Sequence, residues 1–333
     1  MGKVSNEIAY MSVPGGGLGT EATDWPLARI ENAHCSVTET WWWCIHLPEL
    51  NMNAEVYFWK HSNLNTMSGG VWVYQGIKKH HLQCEHFNWK NYLPAPERTG
   101  SSLFAAELDL RINILEPMKK HEVIYKDRAT DTSLYFMAES VQPPAIRANN
   151  AHFEQAQRLK GVLRLNGNDI QFDCLSMRDR SWGEPRPELA VIHPPTLWAV
   201  GISQDARLSF NFNACDDPTR NPLVAQYGLS QDDAFKVGWM YRDGEFRCLK
   251  SVSKCTERGS DGLQSLRYDV EMADDRGQSY QLRGEVLASV FWSPWPNMAA
   301  FFGQLTRWHL DGELMYGETQ EVLWGDCIKR MIR

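Results

Sequence analysis

A carboxyl group flanked by two arginines, Asp179, lies near the middle of the chain in residues 176–183, which read Ser-Met-Arg-Asp-Arg-Ser-Trp-Gly. Residues 169–175 have strand character, so a strand is predicted to run into this stretch. Alternate strand residues share a face, which places Asp179 on one face and Trp182 on the other. If the Asp179 face points into an apolar interior with Trp182 beside the entrance, desolvation favours the neutral, proton-donating carboxyl. The alternative is a salt-bridged strand end without chemistry.

A second carboxyl group, Glu39, precedes three consecutive tryptophans in residues 39–43, Glu-Thr-Trp-Trp-Trp. On a strand, Glu39, Trp41 and Trp43 share one face. If that face is interior, Glu39 is a second candidate acid, or a partner to a carbocation, in an aromatic wall. If the face is exterior, the tryptophans form a domain-interface patch and Glu39 is solvated. The sequence leaves both interpretations open.

Aromatic residues near the turns of the second half are candidates for lining an apolar pocket, because their π-faces stabilise developing positive charge. His309 and Tyr316 in the same region are candidates for orienting a substrate oxygen. Packing in the core or at a barrel end is the alternative for each of these side chains. The aromatic candidates are Trp198, Trp239 and Trp292.

No metal site and no cofactor are predicted. His80, His81, Glu85 and His86 cluster closely. Their spacing matches no standard zinc motif, and a solvated strand edge explains them better. The chain has no G-x-S-x-G nucleophile motif, and no G-x-G-x-x-G follows a strand. Nicotinamide or flavin use is therefore not expected.

Composition excludes several classes of function. The 333 residues carry a formal net charge of −7 and no Lys/Arg-rich block, which argues against a nucleic-acid partner. None of the eight cysteines forms a C-x-x-C pair, and no signal peptide or membrane-length apolar run is visible. A reduced, cytoplasmic protein is therefore predicted, and whether it forms a homodimer is left open.

Short strands separated by tight turns predict an all-β protein. In the second half, Asn166-Gly167, Asp243-Gly244 and residues 274–277 each join two strand-like runs as a hairpin. Helical signal is sparse, and residues 223–235 are the best helix candidate. The pattern favours a barrel or sandwich over βαβ units.

A domain boundary is predicted near residue 150, after the break at Pro143-Pro144. Residues 1–150 then form an N-terminal β-barrel, whose leading glycine-rich segment 14–19 is interpreted as a loop. Residues 151–333 form a C-terminal β-barrel that carries the Arg-Asp-Arg-Ser-Trp-Gly motif.

The sequence resembles the AttH / carotenoid 1,2-hydratase superfamily, and most closely its two-domain branch. Residues 178–183 are similar to the Asp-(His/Arg)-x-Trp-Gly signature of that group, and residues 152–155 with 161–167 resemble the lead-in to it. Residues 312–324, with Tyr-Gly-Glu at 316–318, resemble the closing strands of its second domain. Arg180 stands where the family often has His.

The resemblance implies two tandem lipocalin-like (calycin) antiparallel β-barrels. It also implies relatives that are hydratases, isoprenoid cyclases and pericyclases working without redox cofactors. The predicted function is protonation of a C=C bond in a hydrophobic, unsaturated small molecule of isoprenoid, steroid-like or polyketide type, giving hydration, isomerisation or cyclisation. Asp179 is the favoured acid, Glu39 the second, and Trp182 a cavity wall, while Arg178 and Arg180 brace the strand end.

Two other classes of function stay open at this point. A barrel lined by aromatic side chains can carry an apolar ligand without changing it. Exposed tryptophans can instead form an interface for a partner protein.

Overall fold

A computed structural model describes residues 10–11, 21–26, 35, 37–147, 151–185, 193–295 and 299–332, and the predicted loop at 14–19 lies outside them. The helices are short: α1 (Pro222–Ala225), α2 (Gln231–Ala234) and α3 (Gly325–Met331), with 3-10 turns at Glu21–Asp24, Pro48–Leu50, His81–Gln83 and Ala106–Leu108. The strands are β1 (Tyr10–Met11), β2 (Val37–Leu47), β3 (Met52–His61), β4 (Thr66–Gln75), β5 (Ile77–Lys78), β6 (His86–Pro94), β7 (Glu97–Thr99), β8 (Ser102–Ala105), β9 (Leu110–Glu116), β10 (Lys120–Asp127), β11 (Thr132–Ser140), β12 (Ala145–Arg147), β13 (His152–Leu165), β14 (Asn168–Pro185), β15 (Thr196–Ser203), β16 (Leu208–Ala214), β17 (Phe235–Arg242), β18 (Glu245–Arg258), β19 (Ser265–Asp274), β20 (Ser279–Trp295), β21 (Ala299–Leu310) and β22 (Glu313–Trp324).

The first sheet is long and curled. Its strand order is β6-β4-β3-β2-β14-β13-β11-β10-β9-β8-β7, with β12 beside β13 and β1 beside β12. Alternation along these strands separates two faces. The inner face buries Trp41 and Trp43 with Phe136 and a set of aliphatic side chains, which together form the core of this half.

The second sheet is a closed barrel. Strands β15 to β22 each pair with the next, and β22 returns to pair with β15. An eight-stranded barrel is just wide enough for its interior to be filled by side chains. Phe210, Phe212, Tyr268 and Trp308 fill much of this one. The all-β, lipocalin-like prediction is confirmed, with one barrel closed and the other sheet curled.

The predicted hairpins are confirmed. Leu165 pairs with Asn168 across Asn166-Gly167, and both turn residues have positive φ, as a two-residue hairpin turn of this type requires. Asp243-Gly244 joins β17 to β18 in the same way, and residues 274–277 join β19 to β20. In contrast, the single helix predicted at 223–235 is wrong. α1 ends before Gly228, which has φ +69, and Ser230 caps a separate α2.

The chain passes from the first sheet to the second later than predicted. β13 and β14 pair with each other and with β11 and β2, so both belong to the first sheet. The motif at 178–183 is therefore part of the N-terminal sheet, and the change of sheet falls between Pro185 and Thr196. The break at Pro143-Pro144 lies between β11 and β12, and the first sheet continues beyond it, so the two prolines do not end that sheet.

The outer face of the first sheet packs against the closed barrel, and we call this contact the junction. It involves β2, β3, β4 and β14 on one side and β15, β20, β21 and β22 on the other. One apolar cluster includes Met177, Ile202 and Trp239. Another includes Trp72 and Trp292.

Exposure bears on one of the sequence-based alternatives. Among the side chains that the structure describes, no tryptophan is one of the exposed large hydrophobic residues, which weakens the partner-interface alternative. No helix in the described ranges is long and apolar enough to cross a membrane. The cytoplasmic location stays a prediction.

The cysteines with free thiols include Cys44, Cys84, Cys174, Cys215, Cys255 and Cys327.

Candidate functional site

Asp179 lies on the outer face of β14, at the junction. Its cross-strand neighbours are Glu154 on β13 and Trp42 on β2. The Asp179 side chain is 18% exposed, whereas that of Glu154 is fully buried. Asp179 therefore forms the accessible edge of a polar cluster that continues into the junction.

A histidine joins the two carboxyl groups. His152, on the same face of β13, places Nε2 2.7 Å from Glu154 Oε1 and 3.1 Å from Asp179 Oδ2. Thr40 Oγ1 donates a hydrogen bond of 3.4 Å to Asp179 Oδ1 and lies 2.6 Å from Ser181 Oγ. The result is a carboxyl–imidazole–carboxyl arrangement in which a proton can pass between His152 and Asp179.

Glu154 is held in its ionised form by donors from both halves of the molecule. Burial opposes ionisation, but His152, Arg147 and an indole N–H together lower the pKa of Glu154 to about 2. Trp198 Nε1 and Trp239 Nε1 each donate a hydrogen bond of 3.2 Å, to Oε1 and Oε2. Glu154 therefore stays ionised at neutral pH.

Aromatic rings adjoin the cluster. The indole of Trp42 meets that of Trp198 edge to face, with 5.6 Å between ring centroids. The sequence predicted Trp198 and Trp239 as site residues, and the structure brings both next to Asp179 through Glu154. The sequence did not predict Trp42 as a site residue, because the alternation of Glu39, Trp41 and Trp43 indicates a site on the other face of β2.

Trp182 does not line this site. It lies on the inner face of the sheet, where it packs on Ile146 and Phe153. Arg178 and Arg180 share that face. Arg178 is ion-paired with Asp24 at 2.7 Å. The two arginines therefore brace the inside of the first sheet, and Trp182 cannot be the wall beside Asp179.

Glu39, Trp41 and Trp43 point inward, which answers the question that the sequence left open. Glu39 is fully buried and ion-paired with Arg180 at 2.9 Å and with Lys60 at 2.8 Å. The Arg180 guanidinium stacks 3.9 Å from the Trp41 ring centroid. A carboxylate between two cations is suited to a structural ion pair rather than to proton donation.

The remaining predicted residues lie apart from Asp179. Trp292 is buried in the junction against Trp72 and Trp89, in strand β20. His309 is exposed on β21. Tyr316 lines a separate cleft between the first sheet and the barrel. These three residues therefore do not belong to the Asp179 cluster.

A cleft of about 780 Å³ opens between the first sheet and the barrel. Its apolar wall includes Leu175 and Ile202, and its rim is charged. Leu175 is four residues before Asp179 on the same strand, a separation of about 13 Å. The buried Met177 lies between them, so the cleft and the Asp179 cluster lie at different positions along the same face of β14. The other lining residues are His46, Leu47, Pro48, Glu49, Val141, Arg158, Gln171, Phe172, Asp173, Cys174, Gln204, Asp205, Ala206 and Tyr316.

Two groups of side chains in the described ranges could hold a metal ion. One is His152 with Glu154 and Asp179, and the other is Cys44 with Glu55 and Glu318. In both groups, protein donors already hydrogen-bond the carboxylates. The histidines noted in the sequence do not form such a group: the buried His86 hydrogen-bonds Tyr125, and Glu85 pairs with Lys78.

The sequence carried one signal for the missed residues His152 and Glu154. The two-residue turn at Asn166-Gly167 fixes the register of the hairpin, because Leu165 opposite Asn168 implies Glu154 opposite Asp179. Extending the predicted hairpin would have found this pair. No comparable local signal exists for Trp42, which approaches Asp179 from a strand more than 130 residues away.

Several solved structures share the fold of this chain. A protein described as AttH from Nitrosomonas europaea matches with a TM-score of 0.57 and 14% identity, covering 90% of this chain and 98% of its own. CghA, crystallised with Sch210972, gives 0.56 and 11%, covering 86% and 88%. Kievitone hydratase from Nectria haematococca gives 0.55 and 10%, covering 98% and 95%. The AttH / carotenoid 1,2-hydratase resemblance is confirmed at the level of the fold.

Sequence comparison adds a family without a described function. None of the curated proteins matches this chain. The model of a family described as "Domain of unknown function (DUF7064)" matches residues 26–325. That match spans both sheets and includes the Asp179 cluster. The chain therefore belongs to the DUF7064 family.

Proposed function

We propose that this protein is a cofactor-independent enzyme that protonates a C=C bond of a hydrophobic, unsaturated small molecule, with Asp179 as the proton donor. The observation that carries the proposal is the linked set of Asp179, His152 and Glu154, in which Asp179 is the most accessible side chain, at 18% exposed against 9% for His152 and 0% for Glu154. An acid at the edge of a buried, hydrogen-bonded cluster is the arrangement that general acid catalysis needs. The substrate is of isoprenoid, steroid-like or polyketide type.

The reaction would proceed in two steps. The Asp179 carboxyl gives its proton to one alkene carbon, which leaves a carbocation on the other and a carboxylate on Asp179. In hydration, water attacks the cation and returns a proton to Asp179, directly or through His152 at 3.1 Å. In isomerisation or cyclisation, loss of a substrate proton regenerates the acid. The π-faces of Trp42 and Trp198 would stabilise the cation.

The comparisons support the reaction class at the level of analogy. Kievitone hydratase is named for a hydration, and CghA was crystallised with Sch210972. Both share only the fold with this chain, at 10–11% identity. Fold likeness alone does not imply function, so the proposal depends on the geometry around Asp179.

Exchange of solvent deuterium tests the proposal without knowledge of the product. The protein is incubated in D₂O with a panel of apolar polyenes, and their masses are followed. Wild type should add a deuteron to carbon in at least one compound. Asp179→Asn should lower that rate by about 10²–10⁴-fold, because Asn keeps the shape but removes the acid. Asp169→Asn, the same change at an exposed position on the same strand, is the matched control.

Two measurements distinguish a catalytic role of Asp179 from a structural role. Binding of the same polyene and the thermal midpoint should be nearly unchanged in Asp179→Asn, because affinity comes from apolar contact. Near-normal exchange per folded molecule in Asp179→Asn would remove Asp179 from the mechanism. A lower midpoint with proportionate loss of activity would make it a structural residue.

Transport or storage of an apolar ligand is the second candidate function, and the cleft of about 780 Å³ favours it. Pockets of this size accommodate small organic ligands. Binding of polyenes by wild type without deuterium uptake would support this function over catalysis. Ile202→Trp, in the cleft wall, should then abolish binding, whereas Asp179→Asn should not.

A further inference from the structure

Two fully buried carboxyl groups meet at the centre of the junction. Glu55 comes from β3 of the first sheet and Glu318 from β22 of the barrel, and both are 0% exposed. One oxygen of each lies within 4.8 Å of the other and of Cys44 Sγ. The barrel strand β21 crosses so closely that a Cβ added at Gly303 would lie 2.9 Å from Glu55 Oε1 and 3.4 Å from Glu318 Oε1.

Every described donor to this pair is neutral. Glu55 accepts hydrogen bonds from Trp42 Nε1 at 3.0 Å and from Tyr74 Oη at 2.9 Å. Glu318 accepts from Asn53 Nδ2 at 2.7 Å, from the Gln304 backbone N–H at 3.0 Å and from Cys44 Sγ at 3.5 Å. These contacts orient the carboxyl groups but provide no positive charge.

The surrounding titratable groups do not compensate two negative charges. Among the described partners of the pair there is no Lys or Arg. His46 hydrogen-bonds Asn53, and burial lowers its pKa to about 4, so it is uncharged at neutral pH. Burial raises the pKa of both Cys44 and Tyr74. Two carboxylates in this dry contact would therefore repel each other without a counter-ion.

We propose that Glu55 and Glu318 share one proton, and that this carboxyl pair makes the junction between the first sheet and the barrel sensitive to pH. With the proton in place, the pair is a hydrogen bond between the two halves of the molecule. When the proton leaves, two like charges face each other across the junction, and separation of β3 from β22 relieves the repulsion. The proposal is independent of the catalytic role of Asp179.

The direction of the pH effect follows from the environment. Burial raises the pKa of Glu55, and burial together with the charge of Glu55 raises that of Glu318, above the ordinary value of 4.5. The folded state then retains a proton that the unfolded chain releases above pH 4.5. The stabilising contribution of the pair is fully present below pH 4.5 and declines as the pH rises toward the folded-state pKa values of Glu55 and Glu318. One retained proton corresponds to up to a tenfold change in the unfolding equilibrium constant per pH unit.

Chemical unfolding of the full chain between pH 5 and pH 9 tests the proposal. Wild type should lose stability as pH rises, whereas Glu318→Gln should show a flatter profile, because its amide can donate to Glu55 without a shared proton. Glu313→Gln, an exposed position on the same strand, is the matched control and should follow wild type. Should Glu318→Gln fail to fold, Glu55→Gln makes the same test from the opposite side.

Labelling of Cys44 reports on the junction itself. Mass spectrometry after a thiol-reagent pulse should show Cys44 becoming reactive at high pH in wild type, beyond the increase seen at the buried Cys215. Glu318→Gln should suppress this excess. Equal pH slopes in wild type and Glu318→Gln would overturn the proposal. Stoichiometric zinc in wild type that Glu318→Gln loses would also overturn it, since a cation rather than a proton would then neutralise the pair.

Discussion

Glu39 and Asp179 lie on neighbouring strands but point to opposite faces of the first sheet, and this difference decides what each carboxyl can do. Glu39 faces the inner core between Arg180 and Lys60. Asp179 faces the junction beside His152. The same residue type is therefore a structural anion in one place and a candidate proton donor in the other.

Replacing Glu39 should damage stability rather than chemistry. Glu39→Gln leaves the fully buried Arg180 without its anion, and breaking one partner of a buried ion pair typically costs about 3–5 kcal/mol. We expect a loss of that order in urea unfolding, with unchanged deuterium uptake per folded molecule. Unchanged stability combined with lost uptake would instead make Glu39 the acid.

At the level of elements, the hairpin of β13 and β14 positions the candidate site. Its turn sets the register that places Glu154 opposite Asp179, and β2 then adds Trp42 on the other side. β13 must in turn lie flat against β11. Gly161 makes this approach feasible, because a Cβ there would lie 1.9 Å from the Tyr135 carbonyl oxygen.

Gly161→Ala should therefore be strongly destabilising. The methyl group would push β11 from β13, and the backbone atoms that it meets cannot rotate away. We expect a loss of about 1–3 kcal/mol or more in the free energy of unfolding. Gly325→Ala is the control, since nothing lies within 4 Å of its added Cβ. The control should be neutral or slightly stabilising; equal effects of the two substitutions would refute the close-approach argument.

For the whole molecule, buried carboxyl groups with opposite shifts predict a maximum of stability between acid and alkaline pH. Glu154 and Asp24 both have pKa values below the ordinary ones. Burial opposes this lowering. His152 and Arg147 outweigh it at Glu154, and Arg178 and His121 outweigh it at Asp24. Their contribution is present above the unfolded values near 4 and is lost as pH falls.

The acid side of that maximum can be assigned by mutation. Wild type should lose stability steadily from pH 5 toward pH 2, measured as the urea midpoint. Glu154→Gln should be less stable at pH 5 but fall less steeply, because it no longer takes up a proton on unfolding. Glu313→Gln should keep the wild-type slope. An unaltered slope in Glu154→Gln would show that this carboxyl has the same proton affinity in both states.

The sequence by itself determined the local architecture. Turn residues at Asn166-Gly167 and Asp243-Gly244 defined hairpins, and strand alternation separated Asp179 from Trp182 correctly. The motif around Asp179 also indicated a resemblance to the AttH / carotenoid 1,2-hydratase superfamily, and a solved structure described as AttH shares the fold. These features depend on neighbours within one hairpin, whose conformational preferences are written in a few adjacent residues.

Only the tertiary structure decided which face is inside and what meets it. Alternation shows that a strand has two faces. Trp41 and Trp42 are both apolar and both buried, on opposite faces of β2. The residue pattern of β2 therefore does not show which face belongs to the core. The partners of Asp179 come from β2 and β13, and Trp198 and Trp239 reach Glu154 from the other sheet. The boundary near residue 150 was misplaced for the same reason. Pairing between distant strands depends on the packing of the whole chain, which local preference does not encode.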